Sequence, residues 1–320
     1  MTPPALRVAI LDDYQGVALS MADWQGRLPD VEVVAFADHV THEAELATLL
    51  HRFEVVVAMR ERTPIRATLI ERLPNLKLLV TTGMRNPAID VAAARAAGVM
   101  VCGTRGQTSD TGELTWGLIL ALARRIVEED AAVRAGAWQQ SVGVGLHGRT
   151  LGLVGLGNIG AQVGAVGLAF GMRIIAWSAN LTADRAAERG AELVDRDALF
   201  AEADVVSLHV VLGDRYRGLV GAPELRAMKR TAFLINTSRG PLVDEGALLQ
   251  ALHEGWIGGA GLDVYDREPL PLDHPLRTAP RTVLVPHMGF VTTDNYQILY
   301  GDALDDVAAF RLGVPVRLVT

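Results

Sequence analysis

The stretch RTLGLVGLGNIG, residues 149–160, constrains the chain more than any other. An apolar run, Leu151 to Val154, enters a glycine cluster at Gly155, Gly157 and Gly160, and a helical pattern follows. This is the G-x-G-x-x-G pattern in its required context, after a strand and opening a helix. Gly155 makes the tight turn, Gly157 lets backbone approach a pyrophosphate, and Gly160 lets the helix pack closely on the strand. With Asn158 and Ile159 these glycines form the expected cofactor turn, and the helix N-terminus is left as an anion site. A glycine-rich turn alone is a common object, so the weight falls on what surrounds it.

What surrounds it is a repeated alternation. LRVAIL (6–11), VEVVAF (31–36), EVVVAM (54–59) and LKLLVT (76–81) read as buried strands separated by helix-compatible stretches. From residue 149 the alternation resumes, with strands at 150–155, 173–178, 204–210, 232–237, 260–264 and 283–287. Helices are read at 159–170, 183–190, 222–229 and 244–254. Short β-rich runs alternating with helices predict an α/β fold with parallel sheets covered on both faces. The expected architecture is two doubly wound parallel-sheet domains. A Rossmann dinucleotide-binding domain (103–288) is inserted into a flavodoxin-like substrate domain (1–102 and 289–320). Crossings near 103 and 288 predict a hinge with a cleft between the domains. The tail, 292–312, is amphipathic and is expected to pack on the first domain. Residues 109–131 predict one long helix, with Ser109 or Asp110 as its cap. Its middle, WGLILALA, is apolar around much of its circumference, and a subunit interface is the favoured cover.

Composition narrows the ligands. Of 320 residues half are hydrophobic, and the formal net charge is −7, so there is no basic field for nucleic acid. A small anionic substrate must therefore be captured by local arginines. Three follow strands: Arg60 and Arg62 after EVVVAM, and Arg85 after LKLLVTTGM. Arg60 and Arg85 follow neighbouring strands, and Arg62 points to the same side as Arg60 if the chain stays extended. The one cysteine, Cys102, excludes an internal disulfide framework and a cysteine-rich metal site, and no metal is expected. The start, MTPPALRVAILDDY, lacks the pattern of a signal peptide, and no run of about 18 apolar residues suggests a membrane span. The expectation is a cytoplasmic protein with no membrane or nucleic-acid partner.

A dinucleotide-binding unit usually ends its second strand with Asp or Glu, which holds the ribose 2′-hydroxyl. Here the strand is RIIAWS and Ser178 takes that place. Without a carboxylate to repel a 2′-phosphate, the balance between NAD and NADP leans slightly to NADP. No arginine immediately follows Ser178, although Arg185 lies a few residues on.

Three later stretches put polar groups where strands end. NTSRG places Arg239 after an apolar run, with Thr237 on the cofactor side. DVYDREP carries Asp263 and Glu268, and LVPHMG carries His287. Together they suit hydride transfer to a 2-keto acid. A planar guanidinium can hold both oxygens of the substrate carboxylate. Hydride arriving at the carbonyl carbon leaves oxyanion charge, which a protonated histidine neutralises by giving up its proton. A carboxylate paired to such a histidine orients the ring and favours its charged form.

The order GLGNIG, NTSRG, DVYDREP, PHMG resembles the D-isomer-specific 2-hydroxyacid dehydrogenase family, over essentially the whole chain. The resemblance implies that Arg239 binds substrate, that His287 is the acid/base and that Glu268 is its partner. It also implies that Asp263 holds the nicotinamide carboxamide, and that the 109–131 helix lies in a homodimer interface. Departures from the family pattern concern specificity. Met84 and Arg85 stand where a small residue is usual in the substrate loop, so an arginine side chain can act where relatives use backbone amides. Ser178 replaces the usual acid, and Phe290 follows the histidine motif where a smaller residue is common. His209, in SLHV, reads as packing or cofactor-side support. The alternative is a dinucleotide-sensing, non-catalytic scaffold of the same fold, against which the complete Arg239, Glu268 and His287 set argues. A formate-type dehydrogenase would be expected to carry glutamine in place of Glu268.

Overall fold

The structure is a computed structural model and describes residues 6–319. The chain divides into two compact units, Met1–Gln107 with Val291–Thr320, and Thr108–Phe290.

The first unit is a five-stranded parallel sheet of β1 (Arg7–Ile10), β2 (Glu32–Ala35), β3 (Val55–Ala58), β4 (Leu78–Thr81) and β5 (Met100–Gly103). Its order is β2-β1-β3-β4-β5, the doubly wound arrangement of flavodoxin-like folds. β3 and β4 are buried at every position, which is why they read as unbroken apolar runs. The last strand, MVCG, is additional to the four read from the sequence. The tail returns as helix α12 (Thr293–Arg311), packed against β4 and β5 as expected. Beyond it the chain bridges antiparallel to β5, with Val319 N–H on the Val101 carbonyl at 2.9 Å.

The second unit is a seven-stranded parallel sheet. Its strands are β6 (Thr150–Val154), β7 (Arg173–Trp177), β8 (Glu192–Leu193), β9 (Val205–Leu208), β10 (Phe233–Asn236), β11 (Gly259–Leu262) and β12 (Thr282–Leu284). The order β12-β11-β10-β9-β6-β7-β8 reverses direction at β6, the strand that feeds the glycine turn. In open sheets of this kind ligands sit beyond the carboxyl ends of the strands at that switch point. Helix α7 (Asn158–Ala169) follows the turn. Its Gly160, Gly164 and Gly167 lie so close to the sheet that a Cβ would meet Gly155, Leu153 or Ile174. The glycine spacing thus sets how deep the helix sinks onto β6 and β7.

The 109–131 segment departs from expectation in two ways. It is two helices, α5 (Ser109–Arg124) and α6 (Ile126–Arg134), broken where Arg125 adopts φ 51°. The apolar middle of α5 is covered by its own unit: Trp116, Leu118, Ile119 and Leu122 are buried against α7 and β10 to β12. It is α6 that buries nothing, leaving Ile126, Val127 and Val133 about half exposed, with Trp138 at 75% just beyond. None of the described helices is long and apolar enough to cross a membrane.

Candidate active site

The glycine turn fits a dinucleotide, and its three glycines do different things. Gly155 has φ +99°, and a Cβ there would stand 2.8 Å from the His209 backbone, so only glycine closes this turn. At Gly160 a Cβ would stand 2.2 Å from the Gly155 carbonyl oxygen. Gly157 is the exception, since nothing lies within 4 Å of where its Cβ would be. The fold itself does not demand glycine there; the open space does, if a ligand is to approach the backbone. Gly157 is also the N-cap of α7 and no side chain caps that helix, so its first N–H groups, from Asn158 and Ile159 onward, are left for an anion.

His209 fills the floor of this turn. It is half-buried, its Nε2 is 2.9 Å from the Ser207 hydroxyl, and desolvation by the surrounding protein pushes its pKa down to about 4. A neutral ring in that place suits packing or cofactor-side support rather than proton transfer.

At the far side of the sheet the ends of β10, β11 and β12 are tied into one set of turns. After β10, the Asn236 side chain donates to the Arg239 carbonyl at 2.9 Å and accepts from the Ser238 N–H at 3.1 Å. This holds half-buried Arg239, whose Nη1 reaches the Ser238 carbonyl at 2.7 Å. Gly240 presses on the next turn: a Cβ would meet the Tyr265 carbonyl carbon at 2.1 Å. Thr237 is buried, and its hydroxyl shares a 2.8 Å hydrogen bond with Thr115 of α5. That contact anchors the strand end, a task that its assignment to the cofactor side did not anticipate.

After β11, Asp263 is 1% exposed and its N–H donates to the Asn236 carbonyl at 3.0 Å. Its carboxylate accepts the Met288 N–H at 2.6 Å and the Gly289 N–H at 3.0 Å. Burial pushes its pKa up to about 6, although the nearby His287 and these two N–H groups oppose the shift. The observed partners of Asp263 are therefore the turn that carries His287. His287 itself sits at φ 50°, a left-handed conformation that a non-glycine residue holds only when its surroundings impose it. Its Nδ1 lies 2.5 Å from Glu268 Oε2, and the other oxygen of Glu268 accepts the Tyr265 N–H at 2.9 Å. Phe290 backs the ring edge-on at 5.8 Å. His287 and Glu268 are 20% and 27% exposed, so the pair is oriented by the protein yet open to a small molecule.

In the first unit, the loops after β3 and β4 are equally ordered. Arg60 has φ 51° and its N–H donates to the Thr82 hydroxyl at 2.8 Å. Its guanidinium lies across Gly83, with Nη1 2.6 Å from where a Cβ would stand. Asn86 is buried and donates to the Arg60 carbonyl at 2.5 Å, and Gly83 N–H donates to Thr104 at 2.8 Å. Met84 and Arg85 are left exposed at the tip. Thr82, Asn86 and Thr104 build this loop and carry no sequence signature that would single them out. Arg62 does not share the side of Arg60. The chain turns after Met59, with Arg62 N–H on the Met59 carbonyl at 3.3 Å. Its guanidinium therefore lies 4.3 Å from the Tyr14 ring centroid and 2.7 Å from the Asp12 carbonyl.

The comparisons with known proteins agree with this geometry. The family model described as D-isomer specific 2-hydroxyacid dehydrogenase, NAD binding domain, matches residues 116–289. The chain is 42% identical over 266 residues to the glyoxylate reductase of Aeropyrum pernix, covering 80% of this chain and 79% of that protein. It is 37% identical to the glycerate dehydrogenase of Methylorubrum extorquens over 274 residues, 82% of this chain and 85% of that one. Among solved structures, a phosphoglycerate oxidoreductase of Vibrio cholerae O395 superposes with a TM-score of 0.92 at 39% identity, covering 96% of this chain and 99% of that chain. The chain belongs to the D-isomer-specific 2-hydroxyacid dehydrogenase family, NAD(P)-dependent oxidoreductases that interconvert 2-keto acids and D-2-hydroxy acids.

Proposed function

We propose that this enzyme reduces a polar 2-keto acid, with His287 as proton donor, Glu268 as its partner and Arg239 as the carboxylate clamp. The observation that carries the reading is the 2.5 Å contact between His287 Nδ1 and Glu268 Oε2. With Nδ1–H donated to the carboxylate, Nε2 is the ring atom left to serve the substrate. A dinucleotide held at the glycine turn would supply the hydride to the keto carbon, or accept it in the reverse direction. Arg239 holds the substrate carboxylate through its guanidinium fork. As charge develops on the keto oxygen, His287 delivers its Nε2 proton there, which completes the hydroxyl. Glu268 keeps the ring oriented and stabilises its cationic form before the proton leaves. Asp263 holds the His287 turn through Met288 and Gly289. A non-catalytic scaffold has no use for this pair.

Arg60, Met84 and Arg85 are proposed to recognise the remainder of the substrate. A second cationic group beyond Arg239 suits hydroxypyruvate, or a phosphorylated or dicarboxylic keto acid, better than a branched apolar one. With Ser178 at the ribose position, NADPH is expected to serve at least as well as NADH. The enzyme is proposed to act in the cytoplasm as a homodimer, a reading supported by the exposed Ile126, Val127, Val133 and Trp138.

A panel of 2-keto acids with each cofactor, run on the wild type and Arg85→Ala, tests this reading. Polar keto acids are expected to lead, with that lead shrinking several-fold in the variant. If apolar keto acids are best and Arg85→Ala leaves the ranking untouched, the second-anion idea is wrong.

A further inference from the structure

The cofactor choice raised by Ser178 has a lead that the linear sequence hides. β7, the second strand of the dinucleotide motif, ends at Trp177, and the chain turns back with Leu181 N–H on the Ser178 carbonyl at 3.1 Å. A turn from elsewhere, Asp214–Tyr216, docks on this corner. The Tyr216 hydroxyl accepts the Ala179 N–H at 3.3 Å, 37 residues away in the chain. The Tyr216 ring also meets Trp177 edge-on, with centroids 6.5 Å apart and planes at 89°. These two contacts fix where Arg215 stands, and its guanidinium lies 5.3 Å from the Tyr216 ring centroid.

We propose that Arg215 receives the 2′-phosphate of NADP(H), with the Ser178 hydroxyl as a second donor; this rests on reading the glycine turn as the dinucleotide site. The ribose hydroxyls of a bound dinucleotide lie beyond the second strand of the motif, which is this corner. A carboxylate at position 178 would bind the 2′-hydroxyl and repel a phosphate, whereas a serine hydroxyl can donate to it. A phosphate still requires a cation, and the stretch directly after Ser178 offers none before Arg185. Arg215 supplies it from a separate loop. Its stacking on an aromatic ring restrains the guanidinium without using its N–H donors, and no described carboxylate pairs with it. Arg217, on the same turn, is engaged electrostatically with Asp266 instead.

The test is calorimetric binding of NADPH, NADH, adenosine 2′,5′-bisphosphate and AMP to the wild type and to Arg215→Ala, Arg215→Lys and Arg185→Ala. Arg215→Ala should raise the ratio of the NADPH Kd to the NADH Kd about 10-fold, the scale of one charge-assisted hydrogen-bonding group. The preference of the site for adenosine 2′,5′-bisphosphate over AMP should fall in step. Arg215→Lys should keep much of both. If the wild type prefers NADPH and Arg215→Ala keeps that preference, or if Arg185→Ala alone removes it, the assignment to Arg215 is overturned and the NADP reading survives. If Arg215→Ala weakens both cofactors equally, the residue is structural and the inference fails. If the wild type binds NADPH no better than NADH, the NADP reading itself falls, and this inference with it.

Discussion

Two histidines follow strands of the same sheet, and the regions around them are built to opposite ends. His209, beyond β9, is half-buried against the glycine turn, its ring meets the Ser207 hydroxyl, and desolvation pushes its pKa down to about 4. His287, beyond β12, is 20% exposed, sits in a left-handed conformation and is held by a carboxylate 2.5 Å away. Residue type and strand-end position are shared, so neither decides function. What separates the two is the partner: desolvation beside a neutral hydroxyl keeps an imidazole uncharged, whereas a carboxylate at an open edge is the setting the proposed proton transfer needs.

The largest effect should come from the open site. His287→Ala is expected to lower kcat for keto-acid reduction by about 10² to 10⁴, the usual scale for general acid–base catalysis. Dinucleotide affinity and thermal midpoint should move little. Steady-state kinetics beside calorimetric cofactor binding checks this, and near-normal turnover would remove His287 from the proton-transfer role.

His209 should instead govern stability against pH. Its folded pKa of about 4 lies below the unfolded value near 6.5, so below that value the unfolded chain takes up the proton more readily. Stability from this group is full above about pH 6.5 and declines as pH falls towards 4, by about 3 kcal/mol in all. His209→Asn should flatten that slope while leaving kcat within a few-fold of wild type. Urea titrations across the pH range read it directly, and an unchanged slope in the variant would contradict the desolvated, neutral reading.

Asp263 joins the two behaviours and should show a smaller effect of opposite sign. Burial raises its pKa to about 6, so its native form holds a proton more tightly than the unfolded chain does. Its contribution to stability is therefore present at acid pH and lost as pH rises through 6. Catalysis runs the other way, because protonation weakens its hold on the Met288 and Gly289 N–H groups and loosens the His287 turn. Asp263→Asn should cost about 10-fold in kcat, the order expected for one charge-assisted hydrogen-bond acceptor. It should also remove the fall in activity below pH 6. A pH–rate profile that keeps the acid limb in this variant would place its origin elsewhere.

Much of this was legible in the sequence, and the failures have physical reasons. Strands buried on both faces announce themselves as apolar runs, so β3, β4, β6, β9 and β10 were read close to their observed bounds. β5, MVCG, was missed although it is as long as β3 and β4; its apolar run is cut by Gly103. The break at Arg125 has no proline or glycine to mark it, so α5 and α6 read as one helix. The pairing of Glu268 with His287, 2.5 Å in the structure, was implied by the family resemblance of the motifs, whereas the positioning work of Asn236 and Thr115 had no such signal. Their roles depend on which strands lie side by side. Arg215 is the extreme case, since the role proposed for it rests on its neighbour Tyr216 docking on Ala179 across 37 residues.

The measurement that reaches the central contrast most directly is nitrogen NMR of histidine-labelled enzyme, followed through pH and on addition of reduced cofactor with a 2-hydroxy acid. His209 should stay neutral until the pH approaches 4 and be undisturbed by the hydroxy acid. His287 should keep its proton on Nδ1, bonded to Glu268; its Nε2 signal should move when the hydroxy acid binds, and Glu268→Gln should disrupt the Nδ1 signal. A His287 indifferent to both Glu268→Gln and the hydroxy acid, with His209 responding in its place, would contradict that contrast.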